Sequence, residues 1–385
     1  MPRLLYLLAL CNLVIGTGAF VPAGILANIA ASLNISIAAA GQMMTVYALA
    51  TAVLAPLALV LTGGWPRRRA LWVGMALFAA GNAVCALSDA LPMLLAGRVL
   101  MGVGAMFTPV AAGIAVALVE PQRRGRALAL VFIGVSMSYV IGLPLGAWLG
   151  MRYGWHVPVA GVAAVSVLMV ALLLTFLPRD IAAPGASFKG LGGLLSQPAV
   201  LWTLALTLLY FVAIFLVFAY IGPVLQSLVP MSGERLSVTL MLFGVAGVVG
   251  TVLGGWANDR FHARPTLAIQ LGVLASMMAL VPLTRGNYPL LLAVFVVWGI
   301  AGFGMMTPQQ SRLAALSPAQ APILLSLNTS MLYFGTALGA ALGGAVSGAI
   351  GFERLAWIGV PFALAGLATL WISRRNTGLL QTANV

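Results

Sequence analysis

The stretch Gly254–Arg264 reads GGWANDRFHAR and separates two long apolar runs. Asp259 and Arg260 follow a run of small residues that is typical of a helix end, and Arg264 lies one helical turn further on. A related stretch, Gly63–Arg69, reads GGWPRRR. The two GGW triplets lie 191 residues apart in a chain of 385 residues. This spacing predicts a fold made of two similar halves.

The composition is that of an integral membrane protein. Hydrophobic residues make up 62% of the chain and charged residues 6%, whereas soluble domains carry about 25% charged residues. The net charge of +13 is scattered in short clusters between apolar runs. Such clusters are typical of charges that set membrane topology, so we expect no nucleic acid partner.

The cysteines and the N-terminal apolar run are both predicted to be parts of membrane spans. Cys11 and Cys85 both fall inside apolar runs, and two cysteines support neither a metal cluster nor a disulfide framework. We therefore expect no metal and no cofactor. The first apolar run continues to about Ala31, twice the length of the apolar region of a signal peptide, which predicts a transmembrane helix.

Twelve apolar segments reach the length of about 20 residues that a spanning helix needs. They cover residues 4–31, 38–62, 70–90, 92–118, 125–150, 156–177, 199–225, 235–258, 265–284, 288–311, 319–349 and 353–373. The predicted fold class is an all-α membrane protein with two pseudo-symmetric six-helix bundles. The Gly/Pro-rich stretch 178–198 is the predicted cytoplasmic linker between an N-terminal bundle, 1–177, and a C-terminal bundle, 199–385.

The distribution of basic residues predicts the orientation. With the N-terminus inside, fourteen lysine and arginine residues fall on the cytoplasmic side and four on the outer side. The four are Arg152, Arg235, Arg285 and Arg354. Both termini are therefore predicted to be cytoplasmic.

The two halves repeat in the same order. Met106–Pro109 in the fourth segment reads MFTP, and Met305–Pro308 in the tenth reads MMTP. Leu145–Gly150 in the fifth reads LGAWLG, and Leu338–Gly343 in the eleventh reads LGAALG. A parallel repeat of this kind places a binding site between two bundles at mid-membrane.

Three segments carry glycines at three- or four-residue spacing, which forms a stripe on one helix face. The stripes are Gly142, Gly146 and Gly150 (around Pro144), Gly247, Gly250 and Gly254, and Gly335, Gly339 and Gly343. One interpretation is close packing of neighbouring helices. We favour a second one, in which these smooth faces let the two bundles rock against each other.

Several of these motifs resemble those of the major facilitator superfamily. The Gly254–Arg264 loop is similar to its loop signature, and Gly142–Trp155, GLPLGAWLGMRYGW, resembles the antiporter signature of its drug and sugar exporters. Gly97–Gly104 and Arg123–Arg126 resemble the fourth-helix and following-loop signatures. The opening run Gly16–Ser36 looks like that of arabinose/sugar-efflux, purine-efflux and chloramphenicol-efflux permeases, in the drug:proton antiporter-like branch.

The resemblance implies a monomeric transporter in a bacterial inner membrane that exports a small organic molecule by alternating access. A facilitator that moves a sugar or metabolite down its gradient is the alternative. The chain departs from the exporters at three places. Ala19 stands where they often keep a glutamate, the Gly63–Arg69 loop lacks an aspartate, and His156 stands where an arginine usually follows Gly-Trp. These departures leave open whether protons are a second partner.

Arg98 is the only charged residue well inside a predicted segment, at a depth of roughly 9 Å from the start of that segment. Two interpretations remain open: its side chain extends to the outer headgroups, or it faces the cavity and steers protons or binds polar groups of the substrate.

The family uses its first, fourth, seventh and tenth helices to bind substrate. Aromatic walls with a few hydroxyl and amide groups suit a largely apolar small molecule. The substrate-binding candidates are Asn12, Thr17, Phe20, Arg98, Thr108, Tyr139, Tyr210, Phe211, Phe215, Trp298, Phe303, Asn328 and Tyr333. The gating candidates are Arg67, Arg68, Arg69, Gly142, Pro144, Gly146, Gly254, Asp259, Arg260 and Arg264.

An enzyme would need convergent acids, bases or metal ligands at one depth. His262 and Asp259 share one predicted cytoplasmic loop, and His156 lies at the opposite face. We therefore expect no enzymatic activity.

Overall fold

The computed structural model describes residues 3–120, 123–178, 191–317 and 320–382. Within these ranges, twelve helices are long and apolar enough to cross a membrane by length and composition, which confirms the predicted segments. We label them α1 (Leu4–Ser32), α2 (Ile37–Leu61), α3 (Arg67–Ala86), α4 (Leu91–Ala117), α5 (Arg124–Tyr153), α6 (His156–Phe176), α7 (Pro198–Phe218), α8 (Gly233–Phe261), α9 (Ala263–Thr284), α10 (Tyr288–Leu316), α11 (Ile323–Ile350) and α12 (Phe352–Ser373). The predicted linker, 178–198, lies largely outside the described residues, and its described part contains a short helix, Leu191–Leu195.

Two of the spans are interrupted at equivalent places. The span α4 consists of the helices Leu91–Gly104 and Phe107–Ala117, and α10 consists of Tyr288–Gly304 and Met306–Leu316. Each break precedes the repeated Thr-Pro pair, at Pro109 and Pro308. Proline has no N–H, and its ring clashes with the carbonyl four residues earlier, which lies at the break in both spans. The repeat seen in the sequence is therefore also a repeat of backbone geometry.

Other prolines shape single helices. Pro144 follows a π-helical segment, Ser138–Gly142, inside α5. Pro223 lies in the helix Ile221–Leu228, which continues the chain after a turn at the end of α7. Pro22 lies inside α1, and Ile25 departs there from helical dihedral angles. Pro22 removes a helical hydrogen bond and leaves a carbonyl that another group can use, whereas Pro223 lies in the first turn of its helix, where an N–H has no helical acceptor.

Contacts between Cα atoms divide the chain into two compact units. The first contains Met1–Ser187 and Met231–Gly244. In it α1 packs on α2, α5 and α6, and α3 packs on α4 and α6. The second contains Phe188–Pro230 and Val245–Val385. In it α7 packs on α11 and α12, and α9 packs on α10 and α12.

Several hydroxyl side chains inside the spans find an acceptor within their own helix, where no water is available to them. The hydroxyls of Thr51, Ser166 and Thr203 each donate to the carbonyl four residues earlier in their own helix. Large apolar side chains such as those of Val252 and Trp371 are exposed. The exposed apolar surface fits contact with lipid tails rather than with water.

Candidate functional site

In the first unit, the Asn12 amide joins three spans. Its Nδ2 donates to the Val131 carbonyl of α5 at 3.1 Å, and its Oδ1 accepts a hydrogen bond from Thr108 Oγ1 of α4 at 2.8 Å. Asn12 is fully buried on α1, so both halves of the amide find a partner inside the protein. Asn12 and Thr108, both substrate-binding candidates, are thus brought together in one hydrogen-bonded network.

The second unit carries a related network around Gln309 on α10. Gln309 Nε2 donates to the Thr203 carbonyl at 2.6 Å and to Thr207 Oγ1 at 2.9 Å, both on α7. Thr207 Oγ1 in turn donates to Oδ1 of Asn328 on α11 at 2.5 Å. Gln309 Oε1 is buried without a hydrogen-bond partner. Each unit therefore links its first, fourth and fifth spans through a buried amide.

Arg98 lies deep in the first unit and is 1% exposed, so the interpretation that its side chain extends to the headgroups is wrong. Its Nη1 donates to the Gly18 carbonyl of α1 at 2.9 Å. Gly18 lies four residues before Pro22, so no helical N–H occupies this carbonyl. The proline in α1 thus provides the acceptor that holds the buried cation.

The rest of the Arg98 guanidinium meets soft, weakly polar groups. It lies 5.6 Å from the centroid of the Tyr47 ring, and its nitrogens contact the sulfur atoms of Met44 and Met101. Its Nε is buried without a partner. A small cavity of about 10 Å³ beside it is also lined by Asn82 and Trp155. A positive charge in such surroundings attracts electron-rich or anionic groups.

Aromatic candidates of the first unit form a stacked pair. Phe20 of α1 and Tyr139 of α5 lie with their ring centroids 4.7 Å apart at an interplanar angle of 26°. Tyr139 belongs to the π-helical segment, which changes the direction of its side chain relative to a regular helix. Thr17, one turn before Phe20, donates to its own helix at Leu13 O.

The second unit has a longer aromatic row on α7. The Tyr210 ring meets Phe211 edge to face at 4.7 Å, and Phe211 stacks on Phe215 at 5.9 Å. The Tyr210 hydroxyl donates to the Gly302 carbonyl of α10, close to the break in that span. Trp298 is buried in the same unit.

Two other aromatic candidates are partly exposed. Phe303 on α10 and Tyr333 on α11 are half-buried in the second unit. The Phe303 ring packs against Gly247 of α8, with its nearest atom 2.9 Å from where a Cβ would be.

The three arginines of the Gly63–Arg69 stretch form the first turn of α3 and bind helix ends and an aromatic ring. Arg67 Nη2 donates to the Gly63 carbonyl at 3.0 Å, just beyond the end of α2. Arg68 donates to the Leu174 carbonyl in the last turn of α6, and Arg69 stacks on Trp65 at 4.3 Å. Cations at helix C-termini are favourable because the carbonyls there carry partial negative charge.

The charged side chains of the Gly254–Arg264 segment have different contacts. The Asp259 carboxylate accepts a hydrogen bond from Asn258 Nδ2 at 3.3 Å. Arg260 is exposed and lies 5.9 Å from the Phe261 ring. Arg264 Nη2 donates to the Ser373 carbonyl of α12 at 3.5 Å. Arg264 therefore binds a carbonyl inside the helix Leu355–Thr382, whereas Arg68 binds a carbonyl in the last turn of α6.

The glycine stripes pack inside the units. A Cβ on Gly142, Gly146 or Gly150 of α5 would meet Thr17, Val21 or Ile25 of α1. Gly335, Gly339 and Gly343 of α11 pack on α7, and Gly247, Gly250 and Gly254 of α8 pack on α10. The interpretation of the stripes as sliding faces between the bundles is therefore wrong at these glycines, because helices of their own unit fill the space.

Acidic side chains stay near the surface. Asp89, Glu120, Glu234 and Asp259 are exposed and Glu353 is half-buried. Asp180 lies outside the described residues. The described part of the chain contains no group of three or more His, Cys, Asp or Glu residues that could hold a metal ion.

Gln309 and Arg312 are polar residues of α10 that are not among the candidates predicted from the sequence. Gln309 follows the repeated Thr-Pro pair inside the predicted segment 288–311, a signal that could have drawn attention to it. The predicted segment ends one residue before Arg312, whereas the helix continues to Leu316 and leaves Arg312 only 7% exposed.

Sequence comparison matches the chain to the family profile described as Major Facilitator Superfamily over residues 8–321 and 231–383. The "Inner membrane transport protein YdhP" of Escherichia coli (strain K12) is 32% identical over 84% of this chain and 84% of its own. The "Uncharacterized MFS-type transporter YbcL" of Bacillus subtilis (strain 168) is 28% identical over 92% of this chain and 91% of its own.

Two solved structures share the fold. A bacterial homologue of the human lysosomal transporter Spinster has a TM-score of 0.78 at 17% identity, covering 97% of this chain and 96% of that one. A D-xylose-proton symporter has a TM-score of 0.77 at 16% identity, covering 96% of both chains. The comparisons confirm the predicted fold class.

Proposed function

This chain belongs to the major facilitator superfamily and is a secondary transporter of small molecules in the lipid bilayer, and we propose that it exports neutral, largely apolar organic molecules. The family consists of transporters, not enzymes. The mechanism that we propose is alternating access.

The chemistry of the candidate residues is the observation that carries this proposal. Arg98 is the only charged residue among the thirteen substrate-binding candidates, and the others are aromatic, hydroxyl or amide side chains. A cationic substrate would meet a buried positive charge with no carboxylate among these candidates to offset it, which is unfavourable in a medium of low dielectric constant. A neutral aromatic or aliphatic molecule would pack on the rings and use the hydroxyl and amide groups for orientation.

The direction of transport rests on the helix-5 motif. The run Gly142–Trp155 resembles the antiporter signature of exporters in the drug:proton antiporter-like branch. We further propose a monomer in the bacterial inner membrane with both termini cytoplasmic. The uneven distribution of arginine and lysine supports that orientation, and the relative YdhP is named an inner membrane protein.

For gating, we propose that the arginines at the helix ends stabilise one conformation. Arg67 and Arg68 bind carbonyls at or just beyond helix C-termini, where such contacts are worth about 0.3–1 kcal/mol each. Arg264 binds the Ser373 carbonyl of α12. Arg69 and Arg260 lie beside aromatic rings. Contacts of this strength break and re-form at little cost, as a transporter that changes conformation requires.

The test is a pair of measurements with one control. Metabolite and drug-susceptibility profiles of cells with and without the protein would identify transported compounds. Efflux of such a compound would then be compared for Phe20→Ala, Phe211→Ala and Trp371→Ala, the last being an exposed tryptophan on α12. We expect the first two to lower efflux at least fivefold and the third to leave it unchanged. Efflux restricted to cationic compounds would overturn the proposal.

A facilitator without proton coupling is the second candidate. The observation that favours it is the position of the acids, because every described carboxylate is exposed or half-buried. A proton-coupled carrier uses a titrating group that is reached from each side in turn, commonly a carboxylate within the spans.

A further inference from the structure

An open cleft of about 580 Å³ lies in the second unit, between the end of α8, the start of α9 and the end of α10. This volume falls within the range of about 300–1,000 Å³ that is typical of small-molecule sites. Its polar lining includes Asn258, His262, Arg264, Ser311 and Arg312. None of the described residues that line it is acidic.

Arg312 brings a buried and incompletely paired cation to this cleft. Its side chain is 7% exposed, and its Nη2 donates to Ser373 Oγ. Its Nη1 is buried without a hydrogen-bond partner. The backbone of the same serine accepts a hydrogen bond from Arg264 Nη2 at 3.5 Å, so two guanidinium groups converge on one residue. A buried donor of a charged group that stays unpaired is costly, unless a ligand satisfies it.

The first unit has no arginine at the position equivalent to Arg312. There the end of α6 is bound by Arg68 alone among the described contacts. The helices Phe107–Ala117 and Met306–Leu316 have the same length and align on their Thr-Pro pairs. In this alignment Gly113 is the residue equivalent to Arg312. A Cβ on Gly113 would meet nothing within 4 Å. The second unit therefore carries a buried charge where its repeat has open space.

The start of α9 adds further positive potential. His262 has a φ of 68°, which breaks the helix between α8 and α9, and no side chain caps the new N-terminus. Unsatisfied N–H groups and the helix dipole make such an end favourable for anions. The Ser311 hydroxyl, which accepts a hydrogen bond from Asn258 Nδ2 at 3.3 Å, keeps its own proton available to donate.

We propose that this cleft binds a phosphate group, carried by a phospholipid headgroup or by a soluble phosphate compound. Arg312 and Arg264 provide guanidinium forks, whose geometry matches phosphate oxygens. The proposal requires the Arg312 side chain to turn its buried Nη1 towards the cleft. A phosphate then has enough oxygens to accept from Nη1, from the Ser311 hydroxyl and from the α9 N-terminus at once. The proposal concerns a site apart from the transported substrate and does not depend on the direction of transport.

The experiment measures binding of inorganic phosphate to the full-length protein in detergent, with chloride exchanged for phosphate at constant ionic strength. We expect saturable thermal stabilisation of the wild type, and a Kd that rises at least tenfold in Arg312→Gln. Arg260→Gln is the matched control, because it removes one exposed positive charge from the same segment; its Kd should stay within twofold of the wild type. Arg312→Lys, which keeps the charge and loses the fork, should weaken binding by an intermediate factor.

A second arm identifies the source of the phosphate. If phosphatidylglycerol nanodiscs abolish the phosphate response, or phospholipid remains bound after purification of the wild type but not of Arg312→Gln, the ligand is a lipid headgroup. If phosphate binds equally in detergent and in nanodiscs, the ligand is soluble. The proposal is overturned if wild-type protein shows neither a saturable phosphate response nor retained phospholipid. It is equally overturned if Arg260→Gln weakens binding as much as Arg312→Gln does.

Discussion

At the residue scale, Arg98 shows how a charge is kept inside a membrane protein without a counter-ion. Its described partners are a carbonyl released by Pro22, two methionine sulfurs and the Tyr47 ring. These groups stabilise a cation less than a carboxylate would, and the Nε stays unpaired. A side chain held at this cost is expected to serve transport rather than stability.

Replacement of Arg98 by methionine tests that expectation. Loss of the hydrogen bond to Gly18 O lowers the free energy of unfolding by about 1–3 kcal/mol. Removal of a buried, incompletely paired charge raises it and offsets this loss. We therefore expect the unfolding temperature of Arg98→Met to lie within a few degrees of that of the wild type, while substrate flux falls at least tenfold. Arg152→Met, at the exposed end of α5, is the control and should keep full flux. Normal flux in Arg98→Met would rule out a role in transport.

At the scale of helical elements, α1 and α5 form one of the closest contacts in the first unit. Three glycines of α5 lie against Thr17, Val21 and Ile25 of α1, and no Cβ fits between them. Without water to drive association, helices in a membrane gain stability from such close packing. The pair also carries the stacked rings of Phe20 and Tyr139, so its separation would disturb candidate substrate contacts.

Gly146→Leu should force α1 and α5 apart, since an added Cβ already overlaps Val21. We expect the free energy of unfolding to fall by about 1–3 kcal/mol, the usual cost of overpacking, together with a loss of flux. Gly161→Leu on α6 is the matched control, because a Cβ there meets nothing within 4 Å. Equal thermal stability of the two variants, measured in the same detergent, would contradict the assigned contact.

At the scale of the whole molecule, the distribution of charge constrains coupling to protons. Arg67, Arg98 and Arg312 are the buried charged residues in the described part of the chain, and both histidines are exposed. A proton pathway through a buried carboxylate therefore has no candidate there. Coupling, if present, would use an acid at the surface, such as Asp89 or Asp259.

Substrate flux in proteoliposomes under an imposed pH gradient tests this view. We expect either no stimulation by the gradient or a stimulation that Asp89→Asn or Asp259→Asn abolishes. Glu120→Gln is a suitable control, since this exposed acid pairs with Arg123 at 3.9 Å in a surface loop. Strong gradient-driven flux that survives both aspartate substitutions would refute the account, because it requires a titrating group elsewhere.

Local properties of the chain were enough to establish the membrane class, the twelve spans and the paired halves. A segment of about 20 apolar residues partitions into a bilayer and satisfies its own backbone, whatever its neighbours are. The Thr-Pro pairs at Pro109 and Pro308 likewise act on their own helix, so their breaks repeat in α4 and α10.

The partners of side chains, in contrast, depended on how helices distant in sequence meet. Spacing shows that Gly142, Gly146 and Gly150 share a face, yet only the packed unit shows that this face meets α1. The same holds for Asn12, whose amide reaches Thr108 across 96 residues of sequence, and for Arg312, buried by the continuation of α10. Periodicity defines the face of a helix, but which helix covers that face is a property of the assembled bundle, because packing energies are shared among all the helices in contact.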